Sequence, residues 1–447
     1  MTPTIVFIVL AKKIHKIINN IKFMEKHRMH KHDFTRKGKI GFAELCILIL
    51  KCSKRGIHAG LIEFMKEFKK VDTYSDSAFC QARKKIKYEA FKEISMVVAN
   101  GFYQEADYKT YGEYRVWAID GSDINLPNTE EVREEFGAQT FKHGVQNQSL
   151  VSVLYDVLNH VVLHAVMARQ DANERVLASE HLSYLAKLKN NNRKNQKELI
   201  LMDRGYPCEE LISTLQSLDL YFVIRSNKKT FWREVRDICT NDAVIQRKSK
   251  FGLITVRVLE VPLGNGKSET LITNIMDDKF TISTFSEIYH MRWGVETNYD
   301  VLKQVLQIEN FSGKSPLCIR QDFYATTFLI NLLACIEIDT ADEVKNINIS
   351  HGYTHKRKMN ITRTLSVLKG SVIALLVGNS PTKKEKIFEY IQSELKKTLV
   401  PVRPGRSFPR QKAHPALKFS QNQKTIYSKR QKKSYIWSCV DGSFGSA

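Results

Sequence analysis

Between residues 113 and 225 the apolar residues of this 447-residue chain fall into short runs separated by helical segments, a pattern that leaves few folds open. Tyr114–Ile119, Leu150–Leu158 and Val161–Ala168 read as buried strands, the last two joined through Asn159-His160. Ala172–Leu188 then reads as an amphipathic helix, Glu198–Met202 as a strand, Cys208–Leu218 as a helix and Leu220–Arg225 as a fifth strand. Three strands that can meander, followed by alternating helix and strand, specify a mixed α/β sheet with flanking helices.

The segments on either side differ. In residues 1–105 apolar residues recur at helical spacing, through Ile5, Ile8, Val9, Ile14, Ile17 and Ile18 and again in Phe42–Lys51 and Leu61–Phe68. Asp72–Lys85 opens on capping residues and closes on Arg83, Lys84 and Lys85, a basic helix end that fits either a DNA contact or a solvated face. Residues 228–280 interrupt the alternation: Phe251–Val261, the Gly264-Asn265-Gly266 turn and Thr270–Ile275 predict a β hairpin within an all-β insertion. A helix then runs from about Thr284 to Val305. The expected organisation is a helical DNA-binding region over 1–105, a core over 106–227 and 281–345 with the insertion at 228–280, C-terminal helices over 346–400 and a basic tail over 401–447.

Charge narrows the partner. Lys and Arg number 69 against 47 Asp and Glu, a formal +22, of which +8 falls in residues 1–40 and +9 in residues 401–447. So large a surplus points to a polyanion, nucleic acid before membrane. The apolar run Thr4–Ala11 is far short of the ~20 residues that span a bilayer, so no membrane partner is expected. The eight cysteines include no Cys-x-x-Cys pair, which removes a zinc ribbon or dithiol redox site and suits reduced thiols in a cytoplasmic protein. No phosphate-binding Gly-rich loop of either common type occurs.

Two aspartates close strands: Asp120 follows Val116–Ile119, and Asp203 follows Leu199–Met202. Carboxylates at neighbouring strand ends can converge on one hard cation, although either aspartate alone is as well explained as a turn residue. The helix over Ser286–Val305 is more specific. Tyr289, Arg292, Glu296 and Lys303 fall within roughly 60° of one another around it, beside an apolar stripe of Ile288, Met291, Val295, Leu302 and Leu306. An exposed Arg292–Glu296 pair, worth ~0.3–0.5 kcal/mol, is the plain alternative.

In this order, Asp120, Asp203 and Glu296, with Tyr289-x-x-Arg292-x-x-x-Glu296-x-x-x-x-x-x-Lys303, resemble the DDE transposases of bacterial insertion sequences. More narrowly they resemble the insertion-sequence-four family, marked by a Tyr-Arg-Glu-Lys signature and a β insertion before the Glu. Ile119–Ser122, Leu201–Tyr206, Ile288–Glu296, Ser77–Lys85 and Pro401–Ser407 share the likeness, which extends from about residue 33 to 410. The resemblance implies a ribonuclease H-like mixed sheet with flanking helices, interrupted by the insertion and preceded by a helical domain. It implies that Asp120, Asp203 and Glu296 hold two Mg²⁺ ions, replaceable by Mn²⁺, for in-line displacement at phosphorus. Tyr289, Arg292 and Lys303 match positions that touch DNA phosphates, and Arg204 and Trp293 are placed with them. Relatives stack a flipped base on aromatic side chains; Trp293 and Trp232 are the nearby candidates, although a core tryptophan is the better-supported reading of each. The implied partners are double-stranded DNA, as terminal inverted repeats and target, and further copies of the chain on paired ends. The implied location is the bacterial cytoplasm, on the nucleoid.

The expected function is therefore cut-and-paste transposition: binding of the element's terminal inverted repeats, metal-dependent strand cleavage and strand transfer. Two alternatives stand beside it, a ribonuclease H-like nuclease or resolvase without strand transfer, and a catalytically idle DNA-binding repressor derived from a transposase. Asp123 reads as a turn residue, Asp171 and Glu174 as helix caps, and His27, His30 and His32 as part of a basic surface rather than a metal site.

Overall fold

The computed structural model describes residues 5–403 apart from positions 37, 39, 52–56, 69–73, 142–143, 190–195, 228–230, 264–265 and 379. Six helices come first: α1 (Val6–Ile18), α2 (Ile21–His27), α3 (Phe42–Leu50), α4 (Ile57–Phe68), α5 (Asp76–Arg83) and α6 (Glu89–Glu105). The sheet region follows with β1 (Tyr114–Asn125), α7 (Glu130–Phe136), β2 (Ala138–Phe141), β3 (Gly144–Asp156), β4 (Val162–Arg169), α8 (Glu174–Lys189), β5 (Lys197–Met202), α9 (Glu209–Ser217) and β6 (Tyr221–Ser226). Next are α10 (Arg233–Arg236), β7 (Asp242–Ser249), β8 (Gly252–Leu263) and β9 (Lys267–Thr273). The chain continues with α11 (Ile282–His290), α12 (Trp293–Asp300), a π-helical turn (Val301–Val305), α13 (Pro316–Asp339), α14 (Ala341–Ser350), β10 (Arg357–Lys358), α15 (Ile361–Val377), α16 (Pro381–Lys397) and β11 (Val400–Pro401).

Among the described residues one nine-stranded mixed sheet runs in the order β2-β3-β1-β5-β6-β9-β8-β7, with β4 on β3. β1, β5 and β6 are parallel, while β3 opposes β1 and β4 opposes β3. Val116, Trp117, Ala118 and Ile119 are fully buried, as suits a central strand covered on both faces. The mixed sheet with flanking helices is thus the architecture, and four local expectations change. β1 does not end at Asp120 but runs on to Asn125, because β3 pairs with it through Asn125↔Gln148. The segment 228–280 holds three strands and a helical turn rather than one hairpin, and β9 pairs with β6, so these strands extend the central sheet. The helix expected over 284–305 is broken into α11, α12 and the π turn. Val400–Pro401 pairs with Arg357–Lys358, so the C-terminal stretch begins as a short strand; residues 404–447, and Gly264 and Asn265 of the expected turn, lie outside the described residues.

The helices before and after the sheet share one packed body. α13 lies along α6 and also touches α1, α3 and α15, and α1 meets α15 and α16. From Phe323 to Ile336 every residue of α13 is buried, so it is enclosed on all sides as an internal helix, and its polar Thr326, Thr327 and Asn331 donate to the carbonyls of Asp322, Tyr324 and Val162. Its last residue, Asp339, accepts hydrogen bonds from the Val6 and Phe7 N–H groups at 3.0 and 2.8 Å, capping the positive end of α1. No single helix among the described residues is long and apolar enough to cross a membrane.

Arg83, the start of the basic helix end, is neither a DNA contact nor a solvated residue. It is 2% exposed and donates from Nε to Gln321 Oε1 at 2.6 Å and from Nη2 to Asp322 Oδ1 at 2.7 Å and to the Cys318 carbonyl at 3.0 Å, with a further bond to Ser312. It ties α5 to the first turns of α13 and to the loop that leaves the π turn.

Candidate active site

β1 and β5 pair in parallel through Ala118↔Leu201 and then part. Continuing that register by two residues sets Asp120 opposite Asp203, so both carboxyl groups leave the same face of the sheet where the parallel ladder ends. That placement owes nothing to a strand end at Asp120; it comes from β5 stopping at Met202 while β1 continues. The Gly121 N–H donates to Asp120 Oδ1 at 3.0 Å, and the Arg204 N–H donates to Asp203 Oδ1.

α12 brings the glutamate. Tyr299, buried against β1, donates its hydroxyl to the Asp120 carbonyl at 2.8 Å and reaches the Val151 carbonyl at 3.1 Å, crossing from β1 to β3. Glu296 lies three residues earlier on the same helical face. One turn beyond Tyr299, Lys303 donates to Ser122 Oγ and to the Asp123 carbonyl, both at 2.8 Å. Tyr299 and Lys303 thus dock the helix over residues 120–123 of β1. Sequence reading missed Tyr299, whose only signal was its i+3 spacing from Glu296.

The remaining signature residues converge here. Arg292 is 5% exposed, donates to Glu296 Oε1 at 2.8 Å, and leaves its Nε without a partner. Burial opposes its charge, but Tyr289, Glu296 and Asp203 outweigh that and raise its pKa. The buried Tyr289 hydroxyl also has no partner, and its pKa is raised, chiefly by burial. Two donors without acceptors beside three carboxylates would suit phosphate oxygens. The Arg292–Glu296 pair is therefore not the exposed ion pair of the plain alternative.

Burial pushes the Asp120 carboxyl up to about 7; Arg292 opposes the rise, and Glu174 and then Glu296 add to it. A half-buried carboxyl among other carboxyls, with one cation near, is an environment that a divalent ion would relieve. The donors are all carboxylate oxygens, which suits Mg²⁺ or Mn²⁺ rather than a softer metal. As the side chains stand, no three His, Cys, Asp or Glu residues among the described residues are close enough to hold an ion.

The other candidates separate. Trp293 is 50% exposed, with the Arg292 guanidinium 5.6 Å from its ring centre, so it stands at the mouth of the site rather than in the core. Trp232 is buried, stacked on Phe231 and covered by Arg247. Arg204 is exposed beside Asp203. His27 is buried against Glu93 at 3.0 Å, and His30 stacks on His32. Glu174 does not cap its helix: the Asn173 side chain accepts from the Arg175 N–H at 2.9 Å, and the Glu174 carboxyl turns toward β1 at Gly121.

The chain is similar to known transposases. Residues 111–332 match the family described as Transposase DDE domain. The chain is 23% identical over 351 residues, 75% of its own length and 75% of the relative's, to the transposase InsG of insertion sequence element IS4 from Escherichia coli strain K12. Among solved structures it is similar to a piggyBac transposase synaptic complex with hairpin DNA, at a TM-score of 0.47 and 12% identity, covering 90% of this chain and 87% of that one.

Proposed function

The chain belongs to the DDE transposases, in the branch that includes the IS4 element's enzyme, and from that premise we propose that it excises and inserts its own element by metal-dependent strand cleavage and strand transfer, with Asp120, Asp203 and Glu296 as its catalytic carboxylates. The observation that carries the assignment of residues is the meeting of β1, β5 and α12: register sets Asp120 beside Asp203, and Tyr299 docks the helix bearing Glu296 on Asp120 itself. The strand order β4-β3-β1-β5-β6, with the first three antiparallel and the last three parallel, supports the ribonuclease H-like reading of the core.

Asp120, Asp203 and Glu296 would hold two divalent cations, Mg²⁺ by preference with Mn²⁺ able to replace it, which when bound supply charge neutralisation at the scissile phosphate and a more acidic attacking hydroxyl. The protein's share is positioning. Arg292 and Tyr289 offer their unpaired donors to phosphate oxygens next to the scissile bond, and Lys303 fixes β1 while presenting charge at the rim. Trp293, exposed beside them, provides a face on which an unstacked base can rest. Arg204, exposed beside Asp203, offers a cation to phosphates beyond the cut. Synapsis of two ends by more than one copy completes the proposal, and the setting is the bacterial nucleoid in the cytoplasm. The intact carboxylate set argues against the idle-repressor alternative; the partnerless Tyr289 and Arg292 donors do not distinguish a nuclease, which the products do.

The experiment starts from the DNA flanking the gene, read for short terminal inverted repeats bracketed by a direct duplication. Purified protein is expected to cut duplexes carrying those repeats at the repeat boundary in Mg²⁺, and to leave them whole after chelation or when the repeat is scrambled. Cutting that ignores the repeat, or survives chelation, would overturn the proposal.

A further inference from the structure

A fourth carboxyl group stands in the site. Glu174 opens α8, and its carboxyl lies against the backbone of β1 immediately beyond Asp120: a methyl group placed on Gly121 would sit 2.7 Å from Glu174 Oε1. Among the described residues no basic side chain pairs with it, whereas Glu296 is engaged by Arg292. Its surroundings are acidic, with Asp123 and Asp203 both acting on it, and burial raises its pKa ahead of either. On Asp120 it exerts a stronger repulsion than Glu296 does.

A second observation points to a ligand. Tyr206, three residues after Asp203, is 1% exposed, and its hydroxyl is directed at Glu174, with Asp120 and Asp203 also near, without reaching ordinary hydrogen-bond geometry. A buried hydroxyl that faces Glu174 first and two further carboxyl groups beyond it, yet stands outside ordinary hydrogen-bond geometry with each, holds the Glu174 carboxyl in place while leaving carboxyl oxygens available to a ligand.

We propose that Glu174 is a fourth acidic residue of the cation site, holding with Asp120 and Asp203 one of the divalent ions used in cleavage, and that Tyr206 orients it. This rests on the transposase reading above, and it adds to that reading a residue outside the Asp120, Asp203 and Glu296 set. Gly121 allows the approach, because a side chain there would press on the carboxyl from the β1 side. α8 is anchored independently through the Arg175 bond to the Gly205 carbonyl at 3.1 Å, so the helix keeps its place when the carboxyl is altered.

The test measures Mn²⁺ binding by electron paramagnetic resonance on the full-length protein bound to its end DNA. Glu174→Gln is expected to weaken binding of the more weakly held Mn²⁺ about tenfold, the scale on which groups around a metal act. It should also move the Mg²⁺ concentration for half-maximal cleavage upward by a similar factor, while DNA-end binding stays as in wild type. Should Glu174→Gln not fold, Glu174→Asp, which keeps the charge but shortens its reach, is expected to give an intermediate loss. A Mn²⁺ isotherm identical to wild type in the folded variant would overturn the proposal. Wild-type protein that binds Mn²⁺ normally but cuts no DNA would instead tell against the transposase reading, so the two failures are distinct.

Discussion

Asp120→Asn is expected to abolish strand cleavage, lowering the single-turnover rate by about three orders of magnitude or more, equivalent to about 4 kcal/mol of transition-state stabilisation, while leaving end-specific DNA binding intact. The amide keeps an oxygen for the Gly121 N–H, and the Asp120 carbonyl still accepts from Tyr299, so the docking of α12 on β1 survives. What is removed is the negative charge. The same variant carries its own check on folding. In the metal-free protein the Asp120 carboxyl, held near 7 mainly by burial, binds a proton more tightly than the unfolded chain does. Its contribution to stability is fully present below the ordinary carboxylate pKa of about 4 and is lost as pH rises through 7. Asp120→Asn should therefore melt no lower than wild type at pH 8 in the presence of a chelator. A variant that cuts DNA at the wild-type rate in Mg²⁺ would remove Asp120 from the catalytic set; one that melts far below wild type at pH 8 would mean the loss of cleavage is a loss of fold.

The second large effect is on stability. Arg83→Ala is expected to cost about 3–5 kcal/mol, the scale for removing one partner of a buried ion pair. It takes the guanidinium away from Asp322, which is nearly inaccessible to water and also accepts from Ser312, and it removes the donors to Gln321 and to the Cys318 carbonyl. Urea unfolding measures it. The companion variant Arg83→Met with Asp322→Leu should recover much of the loss, since replacing both charges with apolar groups avoids the unpaired carboxylate. A loss under 1 kcal/mol in Arg83→Ala, accompanied by weaker DNA binding, would return Arg83 to the DNA-contact role that its basic sequence neighbourhood suggests.

These two residues show what the sequence made legible. Asp120 was found by its neighbours, an apolar run and a Gly-Ser-Asp stretch that looks like a turn. The strand nevertheless continues, because pairing with β3 through Asn125 outweighs the local preference of Gly121 and Ser122. Asp120 and Asp203 still come together, since what places them opposite one another is the parallel register, and apolar strand cores report register well. Arg83 was misread for the opposite reason: its burial depends on Gln321 and Asp322, more than two hundred residues away, and no local pattern reveals such a partner. β7 went unread because an edge strand shows water one face; Gln246 and Lys248 are exposed, and the apolar alternation is weak. The break in the signature helix at Met291 and Arg292 has no proline to announce it, yet the four signature residues remain together around the two strands. Glu174 was taken for a cap because acidic residues at helix starts usually interact with the first turn. Only the approach of α8 to Gly121 shows that its carboxyl faces the strand instead.

The central claim is that this site performs phosphoryl transfer on DNA ends and joins them elsewhere. It is tested most directly by mixing the wild-type protein with a linear duplex ending in the element's inverted repeats and a circular target in Mg²⁺, and analysing the products. Covalently joined molecules are expected, with junctions that carry the repeat ends attached to target strands, formed with Mg²⁺ or Mn²⁺ and absent after chelation. Nicks or breaks with no joined product, under conditions where cleavage is complete, would contradict it and leave a nuclease in its place.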